Sequence, residues 1–123
     1  MWYNAAGIEA HQEGRYAEAE QHLTVALKQA EKFGEQDARL ANSLNYLASL
    51  YQDQGNYAQA EPLYRRALAI AEKALGSEHP NVATTLENYA ELLRKTNRDG
   101  EAANLEARAQ AIRAKHAQEN LPN

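Results

Sequence analysis

Apolar side chains recur at helical spacing along the whole chain. Leu40, Leu44, Leu47, Ala48 and Tyr51 form one such stripe, and Ala60, Leu63, Tyr64, Ala67, Leu68 and Ala71 form the next. Positions three and four apart share one face of a helix, so each stripe predicts an amphipathic helix. Between the two stripes lies Gln54-Gly55-Asn56-Tyr57, where glycine takes the left-handed conformation that closes a helix and Asn56 stands in place to cap the following one. Pro80, directly after His79, pre-sets φ for a first helical position, and Asp37 occupies the corresponding earlier place as a cap. Helices are expected over 2–13, 16–33, 38–54, 57–74, 80–96 and 99–117, with a frayed tail at 120–123.

The pattern repeats. At an offset of 42, Leu44 matches Leu86, Leu50 matches Leu92, Leu63 matches Leu105, Arg66 matches Arg108 and Ile70 matches Ile112. At an offset of 41, Asn4 matches Asn45, Gly14 matches Gly55, Tyr16 matches Tyr57 and Glu20 matches Glu61. The one-residue difference falls in the joining loops, Phe33 to Asp37 in one case and Ala74 to His79 in the other. The expected architecture is an all-α superhelix: one domain over 1–123, built from three helix-turn-helix units at about 1–40, 41–82 and 83–119. The first unit has the small residues Ala6, Gly7 and Ala10 in its core pattern. The third carries Glu106 and Gln110 where the second has Tyr64 and Leu68. With Arg113, these give the last helix a polar outer face suited to a cap, whereas Trp2 and Ile8 at the other end suggest an open apolar edge.

The segment Leu44-x2-Leu47-Ala48-x2-Tyr51, followed by Ala60-x3-Tyr64 and Ala67, resembles the tetratricopeptide repeat pattern. The longer period, with the run Gln54 to Ile70 and the segment Leu75-Gly76-Ser77-Glu78-His79-Pro80-Asn81-Val82-Ala83, is similar to the 42-residue repeats of the kinesin light chain group. The resemblance covers essentially the whole chain. It implies a helical solenoid whose first helices line a concave groove for a peptide or helix of a partner protein. The matching positions are Asn4, Ile8, His11 and Gln12 from the first unit, then Asn42, Asn45, Tyr46, Ser49 and Gln52, then Thr84, Glu87, Asn88, Glu91 and Lys95.

That lining is rich in amides, which offer a donor and an acceptor to the backbone of an extended partner without requiring a charge. Amides on an exposed helix are ordinarily just solvated. The equivalence of Asn4 and Asn45, with Asn88 one position along, favours a ligand-facing row, framed by Tyr46 and Ile8 as apolar anchors. Arg94 and Lys95 stand against Glu87 and Glu91, so an acidic peptide meets repulsion. The family's protein-binding role therefore carries over, and its ligand class does not. The competing reading is a structural one, in which the N-terminal edge around Trp2 mediates self-association or meets further repeats.

Composition narrows the function by exclusion. Net charge is −4 and the isoelectric point about 5.6, unsuited to releasing counterions from a phosphate backbone, so nucleic acid is not an expected partner. The absence of cysteine excludes disulfides, thiolate metal sites and a cysteine nucleophile. With a mean hydropathy of −0.75 and no long apolar run, no membrane span is expected. Met1-Trp2-Tyr3-Asn4-Ala5 shows no secretory pattern, which makes a cytoplasmic location the expectation. His11, His22, His79 and His116 lack metal-site spacing, and no nucleophile elbow, phosphate loop or zinc-protease motif occurs. No catalytic residue, cofactor or metal is expected. Glu18, Glu20, Glu61, Glu72 and Glu101, beside Arg65, Arg66, Lys73 and Arg108, read as solvated ion-pair faces.

Overall fold

The computed structural model describes the backbone of residues 2–34 and 37–119, and the side chains of that set from residue 4 onward. It contains helices α1 (Trp2–Gln12), α2 (Tyr16–Glu31), α3 (Ala38–Asp53), α4 (Tyr57–Leu75), α5 (Pro80–Lys95) and α6 (Asp99–Glu119), and no strand among the described residues. The expected Trp2 edge and the 120–123 tail lie outside the described side chains and residues, respectively.

The turns within each helix pair share one geometry. Gly14, Gly55 and Asn97 have φ of 78°, 80° and 62°. The amides that follow, of Arg15, Asn56 and Arg98, each donate to a carbonyl five residues back, on Ala10, Tyr51 and Leu93, at 2.8 Å. This is the Schellman closure, and the third unit makes it with asparagine in place of glycine. Asp37 caps α3 as expected, accepting the Arg39 backbone N–H at 2.8 Å. The His79 side chain caps α5 through Nδ1, which accepts the Asn81 amide at 3.1 Å, with Pro80 opening the helix. Asn56 stands at the cap position of α4, but its side chain makes no capping bond. At φ −88° and ψ 65° it is outside the extended conformation that aims a cap side chain at the first free amides.

Helices α1 and α2, α3 and α4, and α5 and α6 pack as antiparallel pairs. The first helices α1, α3 and α5 also touch one another in series, while the backbones of α2, α4 and α6 do not. A layer whose members crowd together is the inner side of a curved stack, so α1, α3 and α5 form the concave face. The outer layer is bridged by side chains such as Arg108 to Glu72 at 2.9 Å.

Packing follows the expected small and large positions. Ala48, Ala60, Ala90 and Ala102 are buried where paired helices cross. At the α1–α2 crossing Gly7 is buried, and a Cβ there would lie 2.6 Å from the Leu23 side chain. Leu23 meets Leu47 and Leu50 at the first junction between pairs. At the second junction the equivalent positions hold Tyr64 and Tyr89, stacked with ring centroids 5.9 Å apart. On α6, Glu106 accepts from Arg94 Nε at 2.8 Å, Arg113 pairs with Glu87 at 2.7 Å, and Gln110 is exposed.

Candidate functional site

Because α1, α3 and α5 run parallel, their N-termini line one rim of the concave face and their C-termini the other. Across the middle run two inter-helix contacts among short polar side chains. Ser43 Oγ donates to Asn4 Oδ1 at 3.5 Å, joining α3 to α1. Asn88 Nδ2 donates to Asn45 Oδ1 at 3.5 Å, joining α5 to α3. Both bonds are long, so each amide keeps most of its capacity for another partner.

Ile8 and Tyr46, both half-buried, stand between two clefts. Toward the N-terminal rim, a cleft of about 340 Å³ is lined by Asn4, Ala5, Ile8, Arg39, Asn42 and Tyr46. Toward the C-terminal rim, one of about 460 Å³ is lined by Ile8, His11, Gln12, Tyr16, Leu23, Tyr46, Ser49 and Asp53. Of the expected residues of the first two units, all but Asn45 and Gln52 line the trough that these two clefts form about Ile8 and Tyr46.

Asn45 is half-buried beside the clefts, and Gln52 is only 4% exposed and does not line the groove. Its Oε1 accepts the Tyr64 hydroxyl at 2.8 Å. The helical count placed Gln52 in the groove lining, but the buried phenol needs an acceptor and Gln52 supplies it. Burial pushes the Tyr64 phenol pKa well up, and Ser49, bonded to the same hydroxyl, opposes that shift.

The α5 residues are spread more widely. Thr84 and Glu87 are tied to Arg113 of α6, at 3.0 and 2.7 Å, and so belong to the edge of the stack. The guanidinium holds the Glu87 carboxyl below its usual range despite partial burial. Glu91 and Lys95 pair with each other at 3.4 Å along the helix.

Several contacts around the two clefts escaped the sequence reading. Asp53 receives His11 Nε2 at 2.5 Å from a residue 42 positions away. Tyr16 lies edge-on to the His11 ring with centroids 5.9 Å apart. Arg39 is held in a double contact with Asp37, with its guanidinium 3.3 Å from the centre of the Phe33 ring. No periodic pattern marks such pairs, because each joins different helices or a helix to a loop.

Comparison with known proteins agrees with this geometry. The tetratricopeptide repeat family model matches residues 1–73 and again 39–115. No curated protein matches the chain. Among solved structures, BtubC (BKLC) from P. vanneervenii superposes with a TM-score of 0.84 at 28% identity, covering 98% of this chain and 48% of that one. A putative kinesin light chain from Podosopora anserina, with nearly identical TPR-like repeats, superposes with a TM-score of 0.83 at 27% identity, covering 98% and 57%. The chain therefore spans about half the length of these structures. With its paired helices, its shared turn closure and its long repeat, the chain belongs to the tetratricopeptide repeat family, in its kinesin light chain-like form.

Proposed function

We propose that this chain is a non-catalytic scaffold that binds an extended peptide or a helix of a partner protein along the concave face of α1, α3 and α5. Tetratricopeptide repeats generally mediate protein–protein interaction or assembly. The observation that carries the specific reading is the trough on either side of Ile8 and Tyr46, flanked by amides with unspent donors and acceptors. A partner backbone can satisfy those amides while its side chains fill the two clefts. Several titratable groups elsewhere form ion pairs between helices, as in Glu72 with Arg108 and Glu61 with Arg98, which supports a structural use for them. No described helix is long and apolar enough to cross a membrane. The cytoplasmic expectation remains part of this proposal, and so does a capping role for α6, supported by its charged contacts to α5.

The test is affinity capture from source lysate with wild type beside the double variant Asn45→Ala/Asn88→Ala. Capture falls sharply in the variant while its far-ultraviolet circular dichroism is unchanged. Undiminished capture would remove the amide row from the interface.

A second reading, self-association through the outer face of the first unit, draws on Val25. That side chain is 37% exposed in a shallow trough on α2 shared with Ala17 and Thr24. Light scattering decides it, because a mass of 13.7 kDa at every concentration is that of a monomer.

A further inference from the structure

The cleft at the C-terminal rim has a charge character that the remainder of the groove lacks. Its carboxylate, Asp53, is 45% exposed, and its partner there is the His11 imidazole, which hydrogen-bonds Oδ2 alone. Among the described residues no lysine or arginine pairs with Asp53. The other acidic side chains of the concave face are neutralised, Glu87 by Arg113 and Glu91 by Lys95. At the opposite rim the cation is also spent, since Arg39 is bound to Asp37 and stacked on Phe33.

Two further features add to the negative potential of the cleft. It lies where α1 ends at Gln12 and α3 ends at Asp53, and helix C-termini present partial negative charge. Its walls include the rings of Tyr16 and Tyr46, whose faces attract cations, and its floor is the buried Leu23.

We propose that this cleft is a subsite for a lysine or arginine side chain of the bound partner. The aliphatic stem lies along Ile8, and the cationic head reaches Oδ1 of Asp53 beside the tyrosine rings. The inference rests on the concave-face reading and adds the charge class of the partner: a segment with a basic residue at this position.

The test uses small probes with the full chain labelled for amide NMR: N-acetyl-arginine methylamide, its neutral counterpart N-acetyl-norleucine methylamide, and N-acetyl-glutamate methylamide, each titrated to about 20 mM, the range in which fragment-sized ligands bind. The arginine probe gives saturable shifts centred on Ile8, His11, Tyr46 and Ser49, about 5-fold tighter than norleucine, and glutamate gives none. Asp53→Asn removes that 5-fold advantage and leaves norleucine binding as it was, which shows the cleft intact. Equal binding of arginine and norleucine in this cleft, or an arginine advantage that survives Asp53→Asn, overturns the basic-residue assignment and leaves the groove reading standing. Shifts of every probe confined to the outer helices overturn both. No shift with any probe overturns the subsite, and the capture experiment then judges the groove by itself.

Discussion

Tyr64 of α4 stacks on Tyr89 of α5 at an interplanar angle of 13° while its hydroxyl donates to Gln52 of α3. One side chain thus joins three helices and two repeats, with 1% of its surface exposed. Its removal separates the contribution of packing from that of the hydrogen bond. Tyr64→Ala costs about 3–5 kcal/mol by the usual price of deleting a buried ring. Tyr64→Phe keeps the stack and leaves the Gln52 carbonyl without that donor, at a cost of about 1–2 kcal/mol. Urea unfolding reads both, and equal losses in the two variants would show that the ring contributes nothing beyond its hydroxyl.

Ala48 lies with Tyr64, Ala60 and Tyr89 in the same buried cluster, fully shielded from solvent. A larger side chain there forces the α3–α4 crossing apart. Ala48→Leu destabilises by about 1–3 kcal/mol through overpacking. A thermal melt without any loss contradicts the crossing register described above.

Asn97 performs in the third unit the turn that Gly14 and Gly55 perform in the other two, at a φ of 62°. Asparagine tolerates the left-handed region better than most residues, yet glycine carries no Cβ penalty there. Asn97→Gly therefore raises stability by up to about 1 kcal/mol, and Gly55→Ala lowers it by about 1 kcal/mol or more. Opposite signs from those, measured by denaturant unfolding, contradict the shared closure.

Asp37 supplies an acid-sensitive contact. Hydrogen bonds from the Arg39 side chain and backbone hold its carboxyl at about 2, below the ordinary aspartate value. A depressed folded pKa means that the stabilisation is fully present above the unfolded value, near 4, and is lost as pH falls through about 2. Across that window the melting temperature of the wild type drops more steeply than that of Asp37→Asn. Parallel curves for the two proteins contradict the assignment.

Most of the fold was legible because helix content here comes from spacing and punctuation. The stripe from Leu40 to Tyr51 and the breaks at Gly55 and Pro80 define α3, α4 and α5, and their observed bounds differ from expectation by a single residue at several ends. Helix α2 stops at Glu31 rather than 33, since the amides of Lys32, Phe33 and Gly34 turn to carbonyls three residues back, ahead of Gly34 at φ 114°. The site was less legible. Helical geometry places Asn45 and Tyr46 on one face of α3, but it cannot tell an exposed position on that side from a buried one, and Gln52 is buried. The repeat offset also aligned Asn45 with Glu87, whereas the helices cross so that Asn88 meets it. Pairings such as His11 with Asp53 depend on how one helix sits against another, which no single stripe encodes.

The central claim is that partners bind the face made by α1, α3 and α5, and site-specific photo-crosslinking tests it most directly. A photoreactive phenylalanine is placed in turn at Asn42, exposed on the concave side, and at Ala69, exposed on α4. After irradiation with the captured partner, the concave-face account predicts a covalent adduct from position 42 and none from position 69. An adduct from position 69 alone, or equally from both, would contradict it.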